Sequence, residues 1–328
     1  MTVAGAGQSR PGASYRFVHV PAVPRERFER WPAIPFFRNE TQWEDVTFAA
    51  RLRSRVDLAS YDASLTCAYP YTNWALRRGA RGGRPAHLFV TQNGDWPAAA
   101  RSAEYRFFGC DGLVCTNPAY LDRNKDRWNC ALIPNGIDLH RFSPGPDARN
   151  ALGLPDDRPI VLMVSAFMDT KRVPDGIRAV ARVKDAALVV AGDGPLRREA
   201  DALAANLLPG RYHRLTLSAD RMPDLYRSAD VFLHMSKWES FGNVFLEATA
   251  CGLPVVAHAS DLTRWILGDG PFLCDTEDEE ALVSNLQRAL GGADSASAPN
   301  LRRFTWSAVA REYERFVEKT VAARKALA

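Results

Sequence analysis

Between residues 159 and 290 short apolar runs alternate with helical patterns, and this alternation limits the possible folds more than any other feature. PIVLMVSAF (159–167), AALVVAGDGP (186–195), RLTLS (214–218), DVFLHMS (230–236) and GLPVVAHAS (252–260) have the length and the β-branched residues of strands. Helical patterns lie between and after them: one face built from Val173, Ile177 and Val180, a short segment at 222–229 with Pro223 near its start, an apolar stretch at 243–250, and 277–290. Strands with no polar alternation are buried on both faces, and strands separated by helices join as parallel crossovers. The expectation is an α/β fold with a doubly wound parallel sheet.

The first half is less regular. Residues 15–20, 61–70, 86–94 and 111–117 read as strands, with helical patterns at 44–55 and 97–107. IPNGIDLHRFSPGPD (133–147) has the Pro and Asn-Gly chemistry of a linker. The organisation expected is a flexible leader over 1–14, a first α/β domain over 15–145, a second over 146–305, and a closing helix over 306–328. In that helix Val309, Tyr313, Phe316, Val317 and Thr320 share one face.

With 46% hydrophobic and 24% charged residues the 328-residue chain reads as globular. No apolar run reaches the roughly 18 residues of a membrane span, and no secretory signal is apparent. The six cysteines, at 67, 110, 115, 130, 251 and 274, fit no zinc spacing, which suggests reduced thiols and a cytoplasmic protein. Residues 1–150 carry 20 Lys and Arg against 14 Asp and Glu, while the remainder is slightly acidic. A basic first half suits an anionic acceptor or peripheral association with the inner face of a membrane. Its charges are not interleaved with aromatics, so no nucleic acid is expected as a partner.

In open α/β sheets ligands bind beyond the carboxyl ends of strands. Four features of the second half fall there. Ser165, Lys171 and Arg172 follow the first strand, with Lys171 near a helix start where an anion is favoured. Gly192 and Gly194 follow the second and allow close backbone approach. Phe241, Gly242 and Asn243 open a helix whose free N–H groups can seat a phosphate. Glu239 precedes that helix and Glu247 lies inside it. A carboxylate has two acceptor oxygens and suits vicinal hydroxyls. Carboxylates on both sides of a phosphate seat fit a nucleotide sugar. As a dinucleotide fingerprint the glycine turn fails, because Arg197 stands where a third glycine belongs.

On these motifs residues 130–325 resemble the retaining nucleotide-sugar glycosyltransferases of family 4, which have the GT-B fold of two Rossmann-like domains facing a cleft. IPNGIDLHRFSP is similar to that family's interdomain segment, VSAFMDTKR to its diphosphate-binding stretch, AGDGPLR to its glycine turn, and WESFGNVFLEATACGLPVVA contains its E-x7-E signature. The resemblance implies Lys171 on the diphosphate, Glu247 on the ribose, Glu239 facing the hexose, and Phe241, Gly242 and Asn243 lining both. It implies no cofactor and no metal, a UDP- or GDP-linked sugar donor, and a glycan, lipid-linked or small-molecule acceptor. Three departures stand out: Ser165 and Ala166 replace the family's Gly-Arg, the expected first-domain histidine is absent from VTQNGDW, and the first domain is short by one βα unit. Asp95 is then the candidate for positioning or deprotonating the acceptor. Two other functions share the architecture: a weak or inactive sugar-nucleotide-binding homologue that partners another transferase, and a sugar-nucleotide epimerase.

Overall fold

The computed structural model describes residues 1–37, 39–77, 84–100, 105–292 and 300–326. The chain divides into two compact units, Met1–Pro134 with Ala310–Ala328, and Asn135–Val309. The division falls at 134/135 rather than near 145. The linker-like segment packs onto the second unit, where Ile137 and Phe142 are buried in its core and Ile137 N–H donates to Phe304 O at 2.8 Å.

The first unit carries two parallel sheets. In one, β1 (Thr2–Gly5) pairs with β2 (Arg16–His19). The leader expected over 1–14 is therefore part strand: Thr2 pairs with Arg16, and Val20 N–H donates to Gly5 O at 2.9 Å. A four-residue strand held by a partner ten or more residues away leaves little local signal. The other sheet has the order β3 (Ala63–Thr66), β4 (Ala86–Val90), β5 (Gly112–Cys115), β6 (Cys130–Leu132). Around them stand α1 (Glu40–Arg55), α2 (Tyr71–Arg77), α3 (Trp96–Ala99) and α4 (Pro118–Asn124). Residues 101–104 of the helix expected over 97–107 lie outside the described residues.

The second unit has one six-stranded parallel sheet. After the single turn α5 (Arg149–Leu152), the chain lays down β7 (Ile160–Val164), α6 (Val173–Ala181), β8 (Ala187–Ala191), α7 (Arg197–Leu207) and β9 (Tyr212–Leu215). It continues through α8 (Met222–Arg227), β10 (Val231–His234), α9 (Asn243–Ala250), β11 (Val255–His258), α10 (Asp261–Leu267), β12 (Leu273–Cys274) and α11 (Glu279–Leu290). The last helix, α12 (Trp306–Lys325), carries the division point at 309/310.

Strand order is β12-β11-β10-β7-β8-β9. The chain winds outward from β7 through β8 to β9, then returns to pair β10 on the other side of β7. Side chains alternate between two packed faces, as the pleat requires. Val161, Met163, Leu188 and Val190 meet Val173, Ile177 and Leu286 on one face. Ile160, Leu162, Val189 and Phe232 meet Tyr226, Phe245 and Leu246 on the other. Among the described residues no helix is long and apolar enough to cross a membrane.

Leu162 is fully buried at the centre of this sheet, whereas Leu207 is 39% exposed. Leu162→Ala is expected to cost about 2–5 kcal/mol and Leu207→Ala less than about 0.5 kcal/mol. Urea unfolding of the two variants checks this; equal losses would remove Leu162 from the core.

Candidate functional site

The winding reverses between β7 and β10, and a parallel sheet opens a crevice at such a point, beyond the strands' carboxyl ends. The loops after these two strands carry Lys171 and Glu239. Lys171 ends a 3-10 turn, Asp169–Lys171, two residues before α6 begins. Its ammonium donates to Glu239 Oε1. The same oxygen lies 3.2 Å from His234 Nε2, on the last residue of β10. Glu239 Oε2 has no hydrogen-bond partner among the described residues.

Eight positions on, α9 supplies Glu247. Tyr226 O–H of α8 donates to Glu247 Oε2 at 2.7 Å, and Oε1 is left without a partner among the described residues. The two carboxylates are tuned in opposite directions. Burial raises both. For Glu239 the bonds and charges of His234 and Lys171 outweigh burial and bring the carboxyl down to about 2. For Glu247 burial wins over the Tyr226 hydroxyl and the Arg141 charge, and the carboxyl stays above its usual value.

Between the glutamates Gly242 starts α9 in the left-handed region, with φ 82°. The first N–H groups of a helix have no intrahelical acceptor. Asn243 is exposed, and its Oδ1 accepts from Asn135 Nδ2 at 2.9 Å. Phe241 points the other way: it is 2% exposed and packs near Trp265 and Phe304, so only its backbone can line a site. Ser165 is half-buried, with its hydroxyl near Ala166 O at 3.4 Å.

Four sequence candidates have other duties. Arg172, expected beside Lys171 on a diphosphate, donates to Asp175 Oδ2 at 2.8 Å, Thr276 Oγ1 at 2.9 Å and Thr276 O at 3.2 Å. Its guanidinium ties the start of α6 to the segment before α11. Gly192 makes room for the protein's own chain: a Cβ there would stand 2.0 Å from Ser165 O. At Gly194 a Cβ would meet Phe167 O at 2.7 Å. Asp95 is buried, and both of its oxygens are taken. Arg123 grips it bidentately at 3.0 and 2.9 Å, and Asn124 donates at 2.9 Å. This geometry fastens α3 to α4 and lends no support to a role as base.

Two residues of the cluster were not singled out from sequence. His234 is 4% exposed, a polar end to the apolar strand VFLH, and that position is the signal. Tyr226 leaves no such mark; only folding sets it beside Glu247.

Glu239 sits lower in the folded chain than its ordinary 4.5, so its ionisation adds stability fully present above about 4.5 and lost as pH falls through about 2. Glu239→Gln mimics the protonated form. The variant is expected to be less stable by up to about 3 kcal/mol at pH 7 and by less than half of that near pH 3. Urea unfolding of both proteins at the two pH values checks this; a gap that widens toward pH 3 would contradict it.

Residues 146–301 match the family described as glycosyl transferases group 1. D-inositol 3-phosphate glycosyltransferase of Mycolicibacterium smegmatis is 33% identical over 208 residues, covering 56% of this chain and 46% of that protein. The lipopolysaccharide core biosynthesis glycosyltransferase LpsE of Rhizobium meliloti is 30% identical, covering 61% of this chain and 58% of that one. The chain thus spans about half the length of the curated relatives it matches. Among solved structures, sucrose-phosphate synthase of Thermosynechococcus elongatus superposes with TM-score 0.71 at 24% identity, over 94% of this chain and 84% of that one. Anabaena HepE, solved in complex with UDP-glucose, superposes with TM-score 0.61 at 19% identity, over 84% of this chain and 82% of that one. The fold is therefore the GT-B type, and residues 146–301 carry the sequence pattern of the group 1 glycosyl transferases.

Proposed function

We propose that this chain is a retaining glycosyltransferase of family 4 that moves a hexose from a UDP- or GDP-linked donor to an acceptor hydroxyl. The observation that carries the reading is the pair of half-occupied carboxylates. Glu239 and Glu247 each have one oxygen tied to protein and the other open, with the N-terminus of α9 between them. An anchored carboxylate with a free oxygen is pre-organised to accept from a hydroxyl. Glu239 would take hydroxyls of the hexose and Glu247 those of the ribose. The diphosphate would meet Lys171 and the N–H groups of α9.

In this mechanism the bond from the anomeric carbon to the diphosphate breaks as the acceptor oxygen bonds to that carbon; the electron pair leaves with the diphosphate, and the acceptor's proton passes to a diphosphate oxygen. The sugar passes through an oxocarbenium-like state, so positioning and stabilisation of the departing charge dominate. Lys171 can serve only by shifting charge from Glu239 to the phosphate. With Ala166 at the family's arginine position and Arg172 engaged elsewhere, Lys171 carries more of that charge. The group 1 match and the UDP-glucose complex of HepE support the reading.

The experiment is a thermal-shift panel of UDP- and GDP-sugars followed by a transfer and hydrolysis assay. A donor at about 100 times its dissociation constant should add roughly 2.7 kcal/mol. Stabilisation with acceptor-dependent transfer is expected. Binding without turnover would favour the inactive homologue, an isomerised free donor the epimerase, and no response to any donor would overturn the proposal.

Glu247→Ala should weaken free nucleoside diphosphate by roughly 10- to 100-fold, the size of lost charge-assisted hydrogen bonds. Calorimetry on the folded variant decides, and unchanged affinity removes the ribose assignment. Lys171→Ala should lower turnover by about 10²–10³, with Lys171→Arg recovering only part because a planar fork does not reproduce an ammonium. Near-normal turnover in Lys171→Ala would put the diphosphate elsewhere.

A further inference from the structure

We propose that His234 is a positioning residue whose Nε2–H anchors Glu239, so that the carboxylate keeps its place when Lys171 turns to an anionic ligand. The catalytic part of this inference rests on the function proposed above; the anchor itself does not.

His234 is 4% exposed, at the end of a strand whose other residues are apolar. The Phe245 ring lies 4.6 Å away at 64°, edge to face, and fixes the imidazole plane. Nε2 lies 3.2 Å from Glu239 Oε1, while Nδ1 is buried with no partner among the described residues. This asymmetry selects the tautomer. A proton on Nδ1 would bury an N–H with no acceptor and turn the Nε2 lone pair toward a carboxylate. A proton on Nε2 satisfies the donor and leaves only an acceptor unpaired, the smaller cost. Nε2 is therefore the nitrogen that carries a proton and donates to Glu239.

Glu239 Oε1 thus has two donors of different character. Lys171 is 25% exposed and sits on a turn in the loop after β7. His234 is buried in the sheet. When a diphosphate draws the ammonium away, a carboxylate held by Lys171 alone would lose its anchor and turn toward water. Held also by His234, it keeps Oε2 presented. A geometric shift of about 1 Å at a reacting centre costs up to about 10²-fold in rate, so the second donor matters most after ligand binding.

The test has two arms. The first needs no substrate: a double-mutant cycle of His234→Leu and Glu239→Met by urea unfolding, in a Lys171→Met background. Coupling of about tenfold in the unfolding constant is expected, and additive effects would overturn the anchor. The second arm uses donor kinetics. His234→Leu should lower kcat about tenfold and leave the affinity for free UDP or GDP within twofold. His234→Gln keeps an amide N–H that can donate and should restore most of the loss. Wild-type kcat in His234→Leu, or equal loss in both variants, would overturn the positioning role. If the protein turns over no donor, the functional reading falls and the cycle alone still decides whether His234 holds Glu239.

Discussion

The pairing of β7 with β10 is the constraint on which the site depends. Val231 stands opposite Val161 and Phe232 opposite Leu162, all fully buried. Because the strands are parallel, their carboxyl ends finish on one side. Because winding reverses between them, no crossover helix covers that end. The loop carrying Lys171 and the loop carrying Glu239 are left side by side, although 68 residues separate the two. An apolar core thereby puts a cation, a carboxylate and a histidine within bonding distance in a poorly solvated place.

Burial then makes the polar groups costly unless they are paired. The cluster answers in two ways. Glu239 meets two donors at one oxygen and is held ionised, its carboxyl near 2. Glu247 has one hydroxyl donor, and burial keeps its carboxyl raised. The same residue type is thus prepared for two roles, one a fixed negative charge and one a hydrogen-bonding partner. A resident Lys171–Glu239 bond also means that, under the proposed function, a diphosphate would compete with an existing partner rather than fill a bare cation site.

Much of this was legible in the sequence, for reasons that can be named. Apolar runs with no polar alternation marked the strands of the second unit because a strand buried on both faces has no place for polar side chains. The helix Asn243–Ala250 matched its expected bounds because Gly242 and the Cys251-Gly252 pair punctuate it chemically. Val173, Ile177 and Val180 marked the buried face of α6 by their spacing alone. The strand β1 and the boundary at 134/135 were not legible, since both depend on partners distant in sequence.

What the sequence by itself determined is the sheet-and-helix order of the second unit and the placing of Lys171, Glu239, Asn243 and Glu247 after strands or at a helix start, because these follow from local periodicity and turn chemistry. Tertiary structure decided which of the charged and polar residues are free. Arg172 looked like a second cation for the ligand until Thr276, 104 residues away, took its guanidinium. Asp95 looked like a base until Arg123 and Asn124 closed on it. His234 and Tyr226 looked like ordinary members of a strand and a helix until folding brought them to the two glutamates. The availability of a charge depends on its neighbours in space, and periodicity along the chain does not encode them.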